Sequence, residues 1–134
     1  DVSGQRLHHD ERIARWNGEP PANSERAVFA SERDTDVQIR DWFIRRHPAG
    51  GYATRVTGDA LLIDIEADAP QAWLLQGENG FSRKGPDPAQ ASFYVTHPQL
   101  RVRGTLGLAG QRFAVTGTAW LDHEWSSEIL DERA

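Results

Sequence analysis

Asp122, His123 and Glu124 stand side by side near the end of the sequence, between Trp120 and Trp125. Two carboxyl groups and an imidazole can move protons, and two indoles can wall an apolar pocket or lie against a developing cation. A carboxylic acid enclosed in an apolar pocket has a raised pKa, stays protonated near neutrality and can serve as a proton donor. Asp122, His123 and Glu124 are therefore the candidate catalytic residues. Trp42, Tyr94, Trp120 and Trp125 are candidate ligand contacts, with Arg83 and Lys84 as cations for the carboxylates or for an anionic ligand group. Two other readings stay open. Asp122 and Glu124 can pair with Arg83 or Lys84 and fasten the loop at 77–88 to the strand end, or they can simply face water. His123 reads as a general base or as a hydrogen-bonded core histidine.

Other chemistries find less support. Ser126 and Ser127 have no adjacent, oriented base. The glycine-rich stretch Gly77–Gly85 lacks a Gly-Lys-Ser/Thr sequence, and no helix follows it to hold a phosphate. His8, His9 and Asp10 are adjacent, so on a strand they point apart, and no metal site is expected. The 134 residues contain no cysteine, which rules out disulfides and thiolate chemistry but leaves the compartment open. A net charge of −5 without a basic face argues against a nucleic-acid partner. No apolar run reaches the roughly 18–20 residues of a membrane helix. No cofactor is expected.

The elements that must position these groups are strands. Apolar residues recur with period two at Leu61, Ile63 and Ile65, at Phe93 and Val95, at Leu100, Val102, Leu106 and Leu108, and at Phe113, Val115, Ala119 and Leu121. The run 36–46 is apolar on both faces and suits a strand buried on two sides. Turns are expected at Pro48–Gly51, at Thr57–Asp59 and at Leu108–Gln111, with an irregular loop at 16–24, an extended or irregular segment with room for one helical turn at 5–15, and a long loop at 77–88. About six or seven strands and almost no helix result, in an antiparallel meander that curls into a barrel or half-barrel. In the last strand the apolar face ends in His123 and Trp125. That face should line the barrel interior and leave Asp122 and Glu124 on the other side.

At Gly80–Gly85, Ala91–Tyr94, Gly104–Leu106 and Ala119–Ser127, with Asp41-Trp42 followed by Tyr52, the sequence resembles the lipocalin-like carotenoid 1,2-hydratase/AttH family. The resemblance covers nearly the whole chain, and its last motif is the most specific. It implies an all-β, lipocalin-like antiparallel β-barrel, incomplete in this chain: residues 1–134 would be most of the first of two barrels. The family's opening Trp-Trp-Tyr strand pair and its later Gly-Trp-Asp-Trp strand are not found here. The implied function is the binding of a small hydrophobic, terpenoid- or carotenoid-like molecule within a cofactor-independent hydro-lyase of the hydratase type. A non-enzymatic periplasmic carrier or transporter-accessory protein is the alternative, and a purely structural barrel is a third. Implied partners are the second lipocalin-like domain and ABC-transporter components, and the implied location is periplasmic or membrane-associated.

Overall fold

The computed structural model describes residues 9–16 and 28–126. His8, Ser127 and the predicted segments at 5–8 and 17–24 lie outside the described residues. Every regular element among those described is a strand: β1 (Val28–Ala30), β2 (Asp36–Ile39), β3 (Trp42–Arg46), β4 (Tyr52–Thr57), β5 (Leu61–Asp68), β6 (Leu74–Leu75), β7 (Phe81–Arg83), β8 (Ala91–Leu108) and β9 (Gln111–Trp125). The expected runs at 91–96 and 99–109 are one long strand. β7 lies inside the stretch read as a loop at 77–88, where three residues between glycines gave too short a period to detect. Pairing runs in the order β1-β2-β3-β4-β5-β8-β6, with β7 and β9 also on β8. No pairing among the described residues joins the two ends, so the antiparallel sheet is an unclosed, incomplete lipocalin-like one.

The chain forms two compact units, residues 1–68 with 102–117 and residues 69–101 with 118–134. The first is built on the β1–β5 meander. The sequence suggested one two-sided strand over 36–46; the structure has two strands and a tight turn at Arg40-Asp41, with Arg40 in the left-handed region at φ 59°. Val37 pairs with Ile44 and Ile39 with Trp42. Directly opposed residues share a face, so apolar positions that fall on both faces of an unbroken strand fall on one face of a hairpin. Thr54 and Val56 extend that face to Ile65 and Ile63. The opposite face is polar, with Arg45 bonded to Asp36 at 3.1 Å and lying over the Phe43 ring. Tyr52 and Ala67, paired across β4 and β5, are both buried. Arg103 bridges Glu66 at 2.7 Å and Asp68 at 3.1 Å. Gly104 has φ 153°, and a Cβ there would collide with the Asp64 carbonyl oxygen, which accounts for a glycine in mid-strand.

In the second unit β6 and β7 pair with the first half of β8, Leu75 with Val95 and Ser82 with Ser92. Its core mixes apolar and polar groups: Ala91, Val95 and Leu100 are buried, and so are Ser92, Thr96 and His97. Buried hydroxyls and imidazoles need partners, and no buried side-chain nitrogen or oxygen among the described residues lacks one. The His97 ring nitrogen Nε2 lies 2.6 Å from the Gln71 carbonyl oxygen. The expected alternation of β9 holds in part. Val115, Ala119, Leu121 and His123 are half-buried and Asp122 and Glu124 exposed, but Phe113 is exposed as well. An unclosed sheet gives that face no interior to line.

Candidate functional site

The even-numbered residues of two paired strands meet in the second unit. On β8 these are Ser92, Tyr94 and Thr96; on β9 they are Trp120, Asp122 and Glu124. The Thr96 hydroxyl donates to Asp122 Oδ1 at 2.7 Å and itself accepts from Gln76 Nε2 at 3.0 Å. Trp120 Nε1 donates to the same carboxylate oxygen at 3.0 Å. The Ser92 hydroxyl donates to Glu124, and Lys84 Nζ lies 2.7 Å from that carboxylate. Lys84 also sits over the Tyr94 ring, 5.3 Å from its centre. The expected pairing of Lys84 with Glu124 is thus present. Arg83 turns away and donates to the Pro86 carbonyl at 3.0 Å.

These donors set the charge state. Hydrogen bonds from Thr96, then Trp120, with a smaller one from Tyr94, hold the Asp122 pKa below the ordinary carboxylate value. Lys84 and then Ser92 do the same for Glu124. Both groups are ionised near neutrality. An apolar enclosure that would keep either protonated is not what surrounds them, because the neighbouring strand face is polar. His123 lies on the opposite face of β9, its ring 5.0 Å from that of Trp125. Trp125 stacks on Phe93 at 5.8 Å, and Phe93 meets Phe81 edge-on at the same separation. Asp122 and Glu124 therefore share one surface, and His123 and Trp125 another.

Trp120 is the most open of these aromatic groups, at 61% exposure. Its indole helps wall a groove of about 760 Å³ open to solvent, together with Pro70, Gln71, Gln99, Arg101 and Ala119. The volume is in the range of small-molecule sites. Sequence reasoning missed Gln71, Gln99 and Arg101. The signal available was slight: Arg101 read as one of several polar positions alternating with Leu100 and Val102. It also missed Ser92 and Thr96 as carboxylate donors, although both lie on the polar side of the 91–96 alternation.

Trp42, the remaining candidate contact, belongs to the first unit and is closed in. Its Nε1 donates to the Thr57 carbonyl at 2.7 Å, and the Arg12 guanidinium covers its ring at 4.1 Å. Arg12 also bonds Asp41 and the Thr57 carbonyl, and the Thr57 hydroxyl donates to Asp41. Arg12 first, and Thr57 second, bring the Asp41 pKa down to about 2. No group of three or more His, Cys, Asp or Glu among the described residues could hold a metal ion. Among the described residues no helix is long and apolar enough to cross a membrane.

An antiparallel, unclosed sheet of this strand order fits an incomplete lipocalin-like fold. The sequence matches the AttH-like family over residues 1–134, and the chain belongs to that family. A solved structure assigned to AttH, from Nitrosomonas europaea, is 48% identical to it with a TM-score of 0.67. The match covers 73% of this chain and 30% of that one, so this chain spans under a third of its relative's length. No curated protein matches the chain.

Proposed function

We propose that this chain is part of a lipocalin-like protein that binds a small hydrophobic, terpenoid- or carotenoid-like molecule. The observation that carries the reading is the exposed Trp120 indole on the wall of a groove of ligand size. An indole offers a large apolar face with little conformational entropy to lose. Here its ring nitrogen is already tied to Asp122, so the ring is fixed before a guest arrives.

In the full-length protein the domain would serve a cofactor-independent enzyme of the hydratase type, beside a second lipocalin-like domain. The short share of the Nitrosomonas relative that this chain spans supports that division. Asp122 and Glu124 would act there as carboxylates, holding a cationic centre or accepting a proton from the attacking water, since their donors keep them ionised. The acid that protonates the alkene would then come from elsewhere in the protein. His123, on the opposite face, would not reach the same reacting atom. The second reading is a periplasmic or membrane-associated carrier working with ABC-transporter components. The same observation favours it, because a binding groove without a protonated acid is what a carrier needs.

Mass spectrometry of small molecules retained by the purified full-length protein tests the binding reading. A retained apolar compound supports it; a protein that keeps none and takes up none from a terpenoid mixture refutes it. Incubation of that compound with the protein separates the two roles. A product heavier by one water marks the enzyme, and unchanged compound marks the carrier.

A further inference from the structure

The Trp120 groove holds one charged side chain, Arg101, and no carboxylate among its described lining. Arg12, Arg45, Arg46, Arg55 and Arg103 each have an acidic partner. Arg101 has none among the described residues; Arg15, Arg33, Arg40, Arg83 and Arg112 also lack one, but of these six arginines Arg101 alone lines the groove. It is an exposed position on β8, two residues from exposed Gln99, with Leu100 buried between them at 3% exposure. Buried Leu100 pins the strand, and Gln99 and Arg101 both line the groove.

Gln99 strengthens the case. It has φ 53°, a left-handed conformation uncommon for a residue other than glycine. Strained non-glycine residues cluster at ligand clamps. Its Oε1 accepts from Gln71 Nε2 at 2.5 Å, which fixes the orientation of both amides and leaves the Gln99 amino group as a donor. The groove therefore combines one guanidinium fork, an oriented amide and an apolar wall of Trp120, Ala119 and Pro70, in a chain whose net charge is −5.

We infer that the ligand of this groove is an amphiphile with a single carboxylate, its head on Arg101 and its tail along Trp120. This rests on the apolar-ligand reading and adds the head group. A guanidinium fork matches a planar carboxylate with two parallel hydrogen bonds. A phosphate monoester would bring a charge of about −1.5 to −2, which one arginine does not balance. Lys84 and Arg83 are not available for the head group, being bound to Glu124 and to the Pro86 carbonyl.

Calorimetric titration of the full-length protein near neutral pH tests this with three probes of equal chain length: dodecanoate, dodecan-1-ol and dodecyl phosphate. Dodecanoate is expected to bind at least about tenfold more tightly than dodecanol, as a charge-assisted hydrogen bond implies. Dodecyl phosphate is expected to bind more weakly than dodecanoate. Arg101→Gln should erase the preference for dodecanoate and leave dodecanol binding unchanged. Arg112→Gln, at another exposed arginine on the next strand, should leave the preference intact. Equal binding of dodecanoate and dodecanol, or a preference that survives Arg101→Gln, overturns the head-group assignment while the apolar-ligand reading stands. Tighter binding of dodecyl phosphate overturns the choice of carboxylate. Failure of all three probes to bind overturns the groove as a ligand site altogether.

Discussion

The molecule twice places a tryptophan beside an aspartate, and the two places are finished differently. At Asp41-Trp42 the carboxylate takes Arg12 and the Thr57 hydroxyl, the indole nitrogen takes a backbone carbonyl, and Arg12 closes over the ring. All the groups are used and the cation covers the aromatic face. At Trp120 and Asp122 the indole nitrogen goes to the carboxylate instead, and the ring stays 61% exposed beside an arginine with no acidic partner among the described residues. Both aspartates are held ionised by their donors. The residue types are alike, so what separates a latch from a site is whether the cation is already used.

Four changes sharpen or break that contrast. The largest effect is expected at Thr96, which is 1% exposed and links Gln76 to Asp122. Thr96→Val removes the hydroxyl but keeps the shape, leaving the Gln76 amide without its acceptor. It should cost about 2 kcal/mol, read as a lower urea midpoint with unchanged slope. Arg12→Ala should cost about 1–2 kcal/mol through the lost ring contact and carbonyl hydrogen bonds, and should leave probe binding at Trp120 untouched. A loss of binding in this variant would show that the latch is no mere latch.

The third change is acid. Asp41 has a folded-state pKa of about 2, below the ordinary value of about 3.9 that the unfolded chain has. The unfolded state therefore takes up the proton first as pH falls. The stability Asp41 contributes is complete above about pH 5 and is lost on descending through about pH 4 to 2. Asp41→Asn should flatten the acid limb of the stability curve in that window. An unaltered curve would mean that the Arg12–Asp41 pair is not formed in solution. Fourth and smallest is Trp120→Phe. An exposed aromatic swap should change stability by less than about 0.5 kcal/mol, so a large fall in melting temperature would mark Trp120 as a packing residue and erase the contrast.

Much of the fold was legible because a period of two survives in the sequence wherever a strand buries one face. The turns at Pro48–Gly51 and Leu108–Gln111 carried their own signals in glycine and proline. The run at 36–46 was misread for a physical reason: a turn built on Arg40-Asp41 has neither residue, and a two-residue turn keeps apolar residues in an apparently unbroken row. The exposed face of Phe113 was also misjudged, since alternation tells which residues share a side but not what covers that side. At the candidate site, Trp120, Asp122, Glu124 and Lys84 were visible as residue types, and the Lys84–Glu124 pairing followed from their charges. Their charge state was not visible, because the donors Thr96 and Ser92 come from another strand. Arg101 and Gln99 were hidden for the same reason, becoming notable only when a groove surrounds them.

The central claim is that the groove beside Trp120 takes up an apolar guest, and fluorescence titration of the full-length protein with farnesol tests it most directly. The account predicts saturable quenching that largely disappears in Trp120→Phe and persists in Trp42→Phe, whose ring lies under Arg12. Quenching that is absent, or that is undiminished in Trp120→Phe, would contradict it.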